Sequence, residues 1–354
     1  MIIQNEFAII LNIINNILEI LKPGDNMIRS LCFIPNQEPR SDIPVKEYAS
    51  LLANPESLLW IDFDGEPDAS AEPILTGIFR FHPLAVDDAL QETHTPKVDD
   101  WGGYLYIVLN AMTFSTAEGL SLATKELDVF LGKNYMVTHH DEPIAAVEKA
   151  REAFFRDRRY TSHGPDHLLY KLIDDLVADY MPMVEAIDDQ IDRVEDEVLT
   201  KAAPDTLERI FSLKRIILGM RRIIAPQREV LNKLARDDFE VIDPHDRIFF
   251  RDIYDHLVRL HDVNESMRDL ISGSLDTYLS VINNRMNDVM KTLTIITTLF
   301  MPISFLTGFF GMNFFEPVAG LTNWTSRAAF GLAMAVFILA PIGMVFWMRR
   351  RTWV

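Results

Sequence analysis

The chain is 354 residues long, which leaves room for one or two soluble domains besides any membrane segment. Its formal net charge of −18 argues against a general nucleic-acid binder, which needs a basic face, and suits a protein that gathers cations near its surface. The single cysteine, Cys32, excludes an internal disulfide and a multi-cysteine zinc site.

Residues 1–26 read as an N-terminal extension. Ile2 to Leu21 is rich in apolar residues, but Gln4, Asn5, Glu6, Asn12, Asn15, Asn16 and Glu19 interrupt it. It also lacks the basic start and small-residue cleavage site of a signal peptide. The expectation is an amphipathic helix, or an upstream extension ahead of a start at Met27, and not a third membrane span.

Residues 27–164 mix short strands and helices and predict an α+β domain on the cytoplasmic side. Aromatic and β-branched runs place strands at 58–62, 104–109, 127–131 and 135–138, with Gly132-Lys133-Asn134 as a hairpin-length turn. His82 to Gln91 reads as a short helix. His139-His140-Asp141 has the residue types of a metal site, but neighbours on a strand point to opposite faces and do not make a ligand pair.

Residues 165–243 predict a long, acidic helical hairpin broken near Ala202-Ala203-Pro204. Its run from Asp188 to Glu197 is an acidic face with isoleucine and valine recurring on the other side, the pattern of a solvated helix. Residues 244–313 predict a stalk helix that continues into a first membrane helix. No proline occurs between Pro244 and Pro302, and Leu257, Leu260, Met267, Ile271, Tyr278 and Val281 recur mostly on a three/four spacing. Unbroken from about Asp246 to Phe310, such a helix is ~100 Å long at 1.5 Å per residue. Alone it cannot bury its apolar stripe, so self-association is expected.

Two uncharged runs follow: 19 residues from Thr292 to Phe310 and 21 from Ala328 to Met348. Each is long enough to cross a hydrocarbon core of ~30 Å as a helix. Residues 314–326 are then a short external loop, 327–348 a second transmembrane helix and 349–354 a basic tail. Arg285 and Lys291 precede the first span and Arg349-Arg350-Arg351 follow the second, so the positive-inside rule puts both termini in the cytoplasm.

Stepping by three or four along the stalk helix from Asp276 gives Ser280, Asn283, Asn287, Met290, Leu293 or Thr294, Thr297, Met301, Ser304 and Gly308. Polar side chains inside a bilayer are expensive unless they face water or a bundle interior. Oxygens of Asn, Thr and Ser suit a hydrated cation, and rings of Met or Leu close such a path by dewetting. Small and hydroxylated residues also line helix–helix contacts in membranes, so packing stands beside pore lining as a reading of this face. Gly311-Met312-Asn313 ends the first span, with Asn313 offering a carboxamide oxygen to an ion such as Mg²⁺ that dehydrates reluctantly.

A membrane hairpin whose turn opens with Gly-Met-Asn resembles the CorA-type magnesium and cobalt transporters. The likeness runs from about Asp62 to the C-terminus. It includes His82-Pro83-Leu84 with Asp87-Asp88, Pro96-Lys97-Val98, Leu172-Ile173-Asp174, Arg251 to His256, and Met290-Lys291 through Phe300-Met301-Pro302. The resemblance implies a homopentameric, funnel-shaped channel of the bacterial-type inner (plasma) membrane, with Mg²⁺ as both cargo and regulator and Co²⁺, Ni²⁺ or Zn²⁺ as further cargo. It implies a selectivity filter at Gly311, Met312 and Asn313, and a pore lined or gated by Asn287, Met290, Leu293, Met301 and Ser304, where the family commonly has Thr in place of Ser304. It also implies cytoplasmic Mg²⁺ sites between subunits, one at Asp88 and Asp276 and a second at Asp87, Asp174 and Asp252.

The outer loop departs from the family's Met-Pro-Glu-Leu: here Phe314-Phe315-Glu316-Pro317 follows, leaving Glu316 to carry negative charge outside. The zinc-transporting branch shares the Gly-Met-Asn turn and is the nearest alternative; a membrane-anchored scaffold without transport is another. No phosphate-binding Gly-x-x-x-x-Gly-Lys-Ser/Thr loop, His-Glu-x-x-His or Gly-x-Ser-x-Gly is present, so an enzyme is not expected. The partners implied are further copies of the chain, membrane lipid and divalent cations, and no nucleic acid.

Overall fold

The structure, a computed structural model, describes residues 27–91, 95–115, 121–156, 163–311 and 327–350. Expectations for the extension 1–26, for Met312, Asn313 and Glu316, and for the tail beyond Arg350 fall outside the described residues. The chain divides into two compact units, one holding the residues up to Asp196 together with Pro204–Ser274, the other Glu197–Ala203 together with Leu275–Val354.

The first unit is built on a mixed sheet. Its strands are β1 (Met27–Phe33), β2 (Arg40–Ser41), β3 (Leu58–Asp64), β4 (Lys97–Asp100), β5 (Leu105–Ser115), β6 (Ser121–Leu131) and β7 (Tyr135–His140), in the order β2-β1-β3-β7-β6-β5-β4. Every residue of β3 is buried, as a strand covered on both faces requires, which explains its near-continuous apolar run. β3 pairs parallel with β7, while the other pairs are antiparallel. The β5–β6 hairpin extends well past the predicted strands, in register from Leu105↔Leu131 to Ser115↔Ser121.

Helices α1 (Val45–Leu52), α2 (Asp68–Gly77) and α3 (Pro83–Leu90) cover one face. Tyr48, Leu51, Ala71, Leu75 and Val86 meet Leu59, Ile61, Phe63, Val137 and Val108 there, and Phe81 stacks on Phe130 with centroids 4.2 Å apart. Each such large side chain, once fully buried, contributes roughly 1.5–3 kcal/mol. On the opposite face Trp60 meets Phe154 of α4 (Ala145–Arg156), and α5 (Pro165–Ala178) packs on β3, β6 and β7. Gly164 caps α5 at φ +100°, a conformation that side chains rarely adopt, and a Cβ there would lie 2.9 Å from the Asp166 carboxylate.

The stretch 165–243, expected as one helical hairpin, instead holds three helices, α5, α6 (Tyr180–Lys201) and α7 (Pro204–Arg236), with Ala202-Ala203 between the last two. Proline fits the first turn of α7, where its missing N–H has no partner to lose. Gln227 of α7, fully buried, accepts from the Asn110 backbone N–H and donates to the Tyr180 hydroxyl at 2.9 Å, fastening α6 and α7 to β5. The long helix α8 runs from Arg247 to Gly311, close to the predicted limits. Within the first unit it buries Phe250, Ile253, Leu257, Leu260, Met267 and Ile271, the three/four periodicity of its sequence made into a core stripe.

The second unit holds the rest of α8 and α9 (Arg327–Arg350). Arg285 of α8 donates to the carbonyl of Ala202 within this unit.

Candidate functional site

From Val281 to Gly311, no residue of α8 whose side chain is described is buried. Val289, Leu293, Phe300, Met301 and Phe305 are exposed, as are Phe330, Leu332, Leu339 and Phe346 of α9. Apolar surface this continuous around a helix belongs against lipid or neighbouring subunits, not against water. Both helices are long and apolar enough to cross a membrane.

The hydroxyl-bearing residues explain how this part of α8 tolerates polarity. Thr294 donates to the Met290 carbonyl, Thr297 to Leu293, and Thr307 to Ile303, at 2.8–2.9 Å. Each donor is satisfied inside its own helix, which leaves oxygen lone pairs to face outward. At 100° per residue, Asn287, Met290, Leu293, Thr297, Met301, Ser304 and Gly308 fall within about 120° of arc, one face of the helix. Gly308 and Gly311 have open space where a Cβ would stand. Gly311 is the last residue of α8, so the Gly-Met-Asn turn begins where the helix ends.

The carboxylates singled out from the sequence lie on separate elements. Asp87 and Asp88 sit on α3, whose start is fixed by His82: its ring nitrogen accepts from the Leu84 N–H at 3.2 Å, Pro83 fills the first turn, and the ring stacks on Trp101. Asp87 is exposed and accepts from the Gln91 amide at 2.7 Å. Asp88 is half-buried and ion-paired with Lys97 at 2.5 Å, and Lys97 also reaches Asp99 at 3.2 Å. Burial works against the Lys97 charge, but the two carboxylates outweigh it and raise its pKa. The sequence did not disclose this internal counter-ion; only the position of Lys97 in an acidic strand hinted at it.

Asp174 lies 3.6 Å from Lys171, which is closer to Asp175. Asp252 and Asp276 are exposed on α8. Among the described residues, no three carboxylate, histidine or cysteine side chains of one chain come together to hold a metal.

His139 and His140 do face opposite ways. His139 shares its face with Asp128, 3.9 Å away, whereas His140 lies 3.2 Å from Asp62 and 3.5 Å from Asp64 on the other face. Asp64 is bound in turn by Arg29 at 2.8 Å, and the Thr138 hydroxyl bonds Asp62 at 2.5 Å. Burial opposes the His140 charge, yet Asp62 and Asp64 override it and raise its pKa; burial likewise opposes ionised Asp62, but His140 and Thr138 lower its pKa. This is an internal ion-pair network.

Comparison with known proteins agrees with this arrangement. The family model described as "CorA-like Mg2+ transporter protein" matches residues 55–350. The chain is 36% identical over 295 residues to the cobalt/magnesium transport protein CorA of Thermotoga maritima, covering 83% of each. It is 34% identical to the putative metal ion transporter YfjQ of Bacillus subtilis, covering 83% of this chain and 89% of that one. The complete structure of the CorA magnesium transporter of Methanocaldococcus jannaschii superposes with a TM-score of 0.77 at 23% identity, over 94% of this chain and all of that one, and shares its fold. The sheet domain from β3 onward, one long helix entering an apolar span and a second apolar helix lie inside the matched stretch: the chain belongs to the CorA-like Mg²⁺ transporter family, whose members carry divalent metal ions and are not enzymes.

Proposed function

We propose that this divalent metal ion transporter is a channel that admits Mg²⁺ to the cytoplasm through a pore lined by the polar face of α8 in a homopentamer. The observation that carries the reading is that face: Asn, Thr, Ser and Gly aligned within an otherwise lipid-facing helix that ends at Gly311. Met312 and Asn313 complete the selectivity filter, where five carboxamide oxygens hold a hydrated divalent ion. Met290, Leu293 and Met301 form apolar rings that interrupt the path, and Glu316 adds negative charge outside. The membrane potential drives inward flow by ~2.3 kcal/mol per charge per 100 mV.

Regulation follows from like-charge repulsion. Asp88 with Asp276, and Asp87 with Asp174 and Asp252, are the sites at which cytoplasmic Mg²⁺ holds neighbouring subunits together; loss of Mg²⁺ leaves the carboxylates to repel and the pore to open. Both termini are cytoplasmic in this reading, and Co²⁺ and Ni²⁺ are further cargo.

The test is Mg²⁺ uptake into proteoliposomes containing a trapped dye, with Asn313→Ala alongside. Uptake that vanishes in the variant supports the pore and the filter together. No Mg²⁺ uptake at low internal Mg²⁺ by folded oligomer overturns the magnesium assignment: Zn²⁺ uptake instead selects the zinc reading, and no flux of either ion selects a scaffold.

A further inference from the structure

The first unit carries a cleft of about 1100 Å³, partly open to solvent, whose lining includes none of the pore residues proposed above. Its floor is the sheet face carrying Asn110, Thr124, Asp128 and His139, and one wall is α7. Gly219 lets α7 approach β6 closely, since a Cβ there would stand 2.9 Å from the end of Leu122. The volume matches or exceeds that of most small-molecule sites, roughly 300–1,000 Å³.

One buried side chain in this cleft lacks the partner its chemistry demands. His139 is 3% exposed, and its Nε2 has no hydrogen-bond partner among the described residues. A buried ring nitrogen left so costs free energy unless something fills its place. Arg215 and Arg222 line the wall as exposed side chains, open to a ligand that enters from solvent. They are seven residues apart on α7, so they project from nearly the same side about 10.5 Å apart along the axis. Two guanidinium groups at one cleft match the planar, bidentate geometry of phosphate oxygens.

The rest of the lining selects among phosphates. The described lining residues include no Phe, Tyr or Trp, so no aromatic ring stacks on a nucleobase. Instead the floor offers the carboxylates of Glu126 and Asp128, a carboxamide, a hydroxyl and an imidazole, groups that bond the paired donors and acceptors of a polyol. We propose that this cavity binds a phosphorylated sugar, its phosphate on Arg215 and Arg222 and its hydroxyls on Asn110, Thr124, Asp128 and His139. The cavity is also lined by Ala89 of α3, the helix that carries Asp87 and Asp88, so the occupant rests against an element of the proposed Mg²⁺ sensor.

Isothermal titration calorimetry on the full-length protein in detergent tests this with glucose 6-phosphate, inorganic phosphate and AMP. The expected result is saturable binding of glucose 6-phosphate that weakens at least about tenfold, a loss of ~1.4 kcal/mol, in Arg215→Gln/Arg222→Gln. Unchanged thermal unfolding of the ligand-free variant establishes that it folds; if it does not, Arg222→Gln alone serves, with Thr124→Val as a floor variant expected to weaken binding several-fold. No saturable heat with the sugar phosphate, equal binding of inorganic phosphate, tighter binding of AMP, or indifference to the arginine variants each overturns the proposal. Binding heat is read without transport, so this result stands or falls separately from the channel reading.

Discussion

Lys97 shows how one side chain changes the meaning of a neighbouring carboxylate. A cation arriving at Asp88 competes with an ammonium already 2.5 Å away. Removing that unit of positive charge strengthens cation binding by about 1 kcal/mol at surface-like screening. Lys97→Met is therefore expected to lower the internal Mg²⁺ concentration that half-inhibits transport roughly fivefold, measured in liposomes loaded with graded Mg²⁺. An unchanged value places the sensor elsewhere. The buried network on the other face sets a pH dependence. The folded-state pKa of His140 is raised, so its stabilisation is complete below the unfolded value of about 6.5 and is lost as pH rises through the folded one. Burial pushes the Asp166 carboxyl up to about 6, so it too stabilises the fold at low pH and loses that contribution as pH rises from about 4 to about 6. Asp62 acts in reverse: its lowered pKa gives stability above the unfolded value of about 4, lost as pH falls through the folded one. His140→Gln breaks a buried pair and is expected to cost about 3 kcal/mol near pH 6 and to flatten the decline of stability above that pH. Urea unfolding of the two proteins at several pH values reads both effects; parallel curves would dismiss the role given to His140.

At the scale of elements, α8 carries a polar residue that its surroundings do not satisfy. Asn264 is wholly buried in the first unit, and neither amide atom has a hydrogen-bond partner among the described residues. It interrupts the apolar stripe between Leu260 and Met267, so an apolar residue of like volume fits the pattern. Asn264→Leu is expected to stabilise the protein by about 1–3 kcal/mol, the cost of a buried unpaired amide, seen as a higher urea midpoint with unchanged slope. A lower midpoint would mean that a partner or buried water satisfies the amide. The same helix was largely legible in the sequence because three/four periodicity, absence of proline and an uncharged run all agree over its length. The sheet was less so. β1 carries Arg29 and Ser30, which obscure its pattern until Arg29 is seen to pair with Asp64 and Ser30 with the Ile43 backbone. The outer half of β6, Ser-Leu-Ala-Thr-Lys-Glu, is partly exposed and reads as loop without its partner β5. Asp62 and Asp64 are acidic side chains in a buried strand, and only the register of β3 with β7 brings His140 to them. Strand pairing is a long-range fact, and no local pattern contains it.

Over the whole molecule, the distribution of charge supports the proposed topology, which can be measured directly. Arg285 and Lys291 before the first apolar helix and Arg349, Arg350 and Arg351 after the second outnumber Arg327, the one basic residue at the loop end, so the proposed topology expects the loop outside and Arg351 in the cytoplasm. The only native cysteine, Cys32, is 1% exposed inside the sheet domain and gives almost no background to thiol labelling. Burial also raises its pKa, which suppresses the reactive thiolate. Ser326→Cys is therefore expected to react with a membrane-impermeant maleimide added to intact cells, and Arg351→Cys only after the membrane is opened. The opposite order would invert the molecule and turn the polar face of α8 into an export path, at odds with a potential that drives cations inward. Labelling of both residues from outside would mean that only one of the two apolar helices spans the bilayer. The hairpin, and with it the pore built on its first helix, would then have to be abandoned.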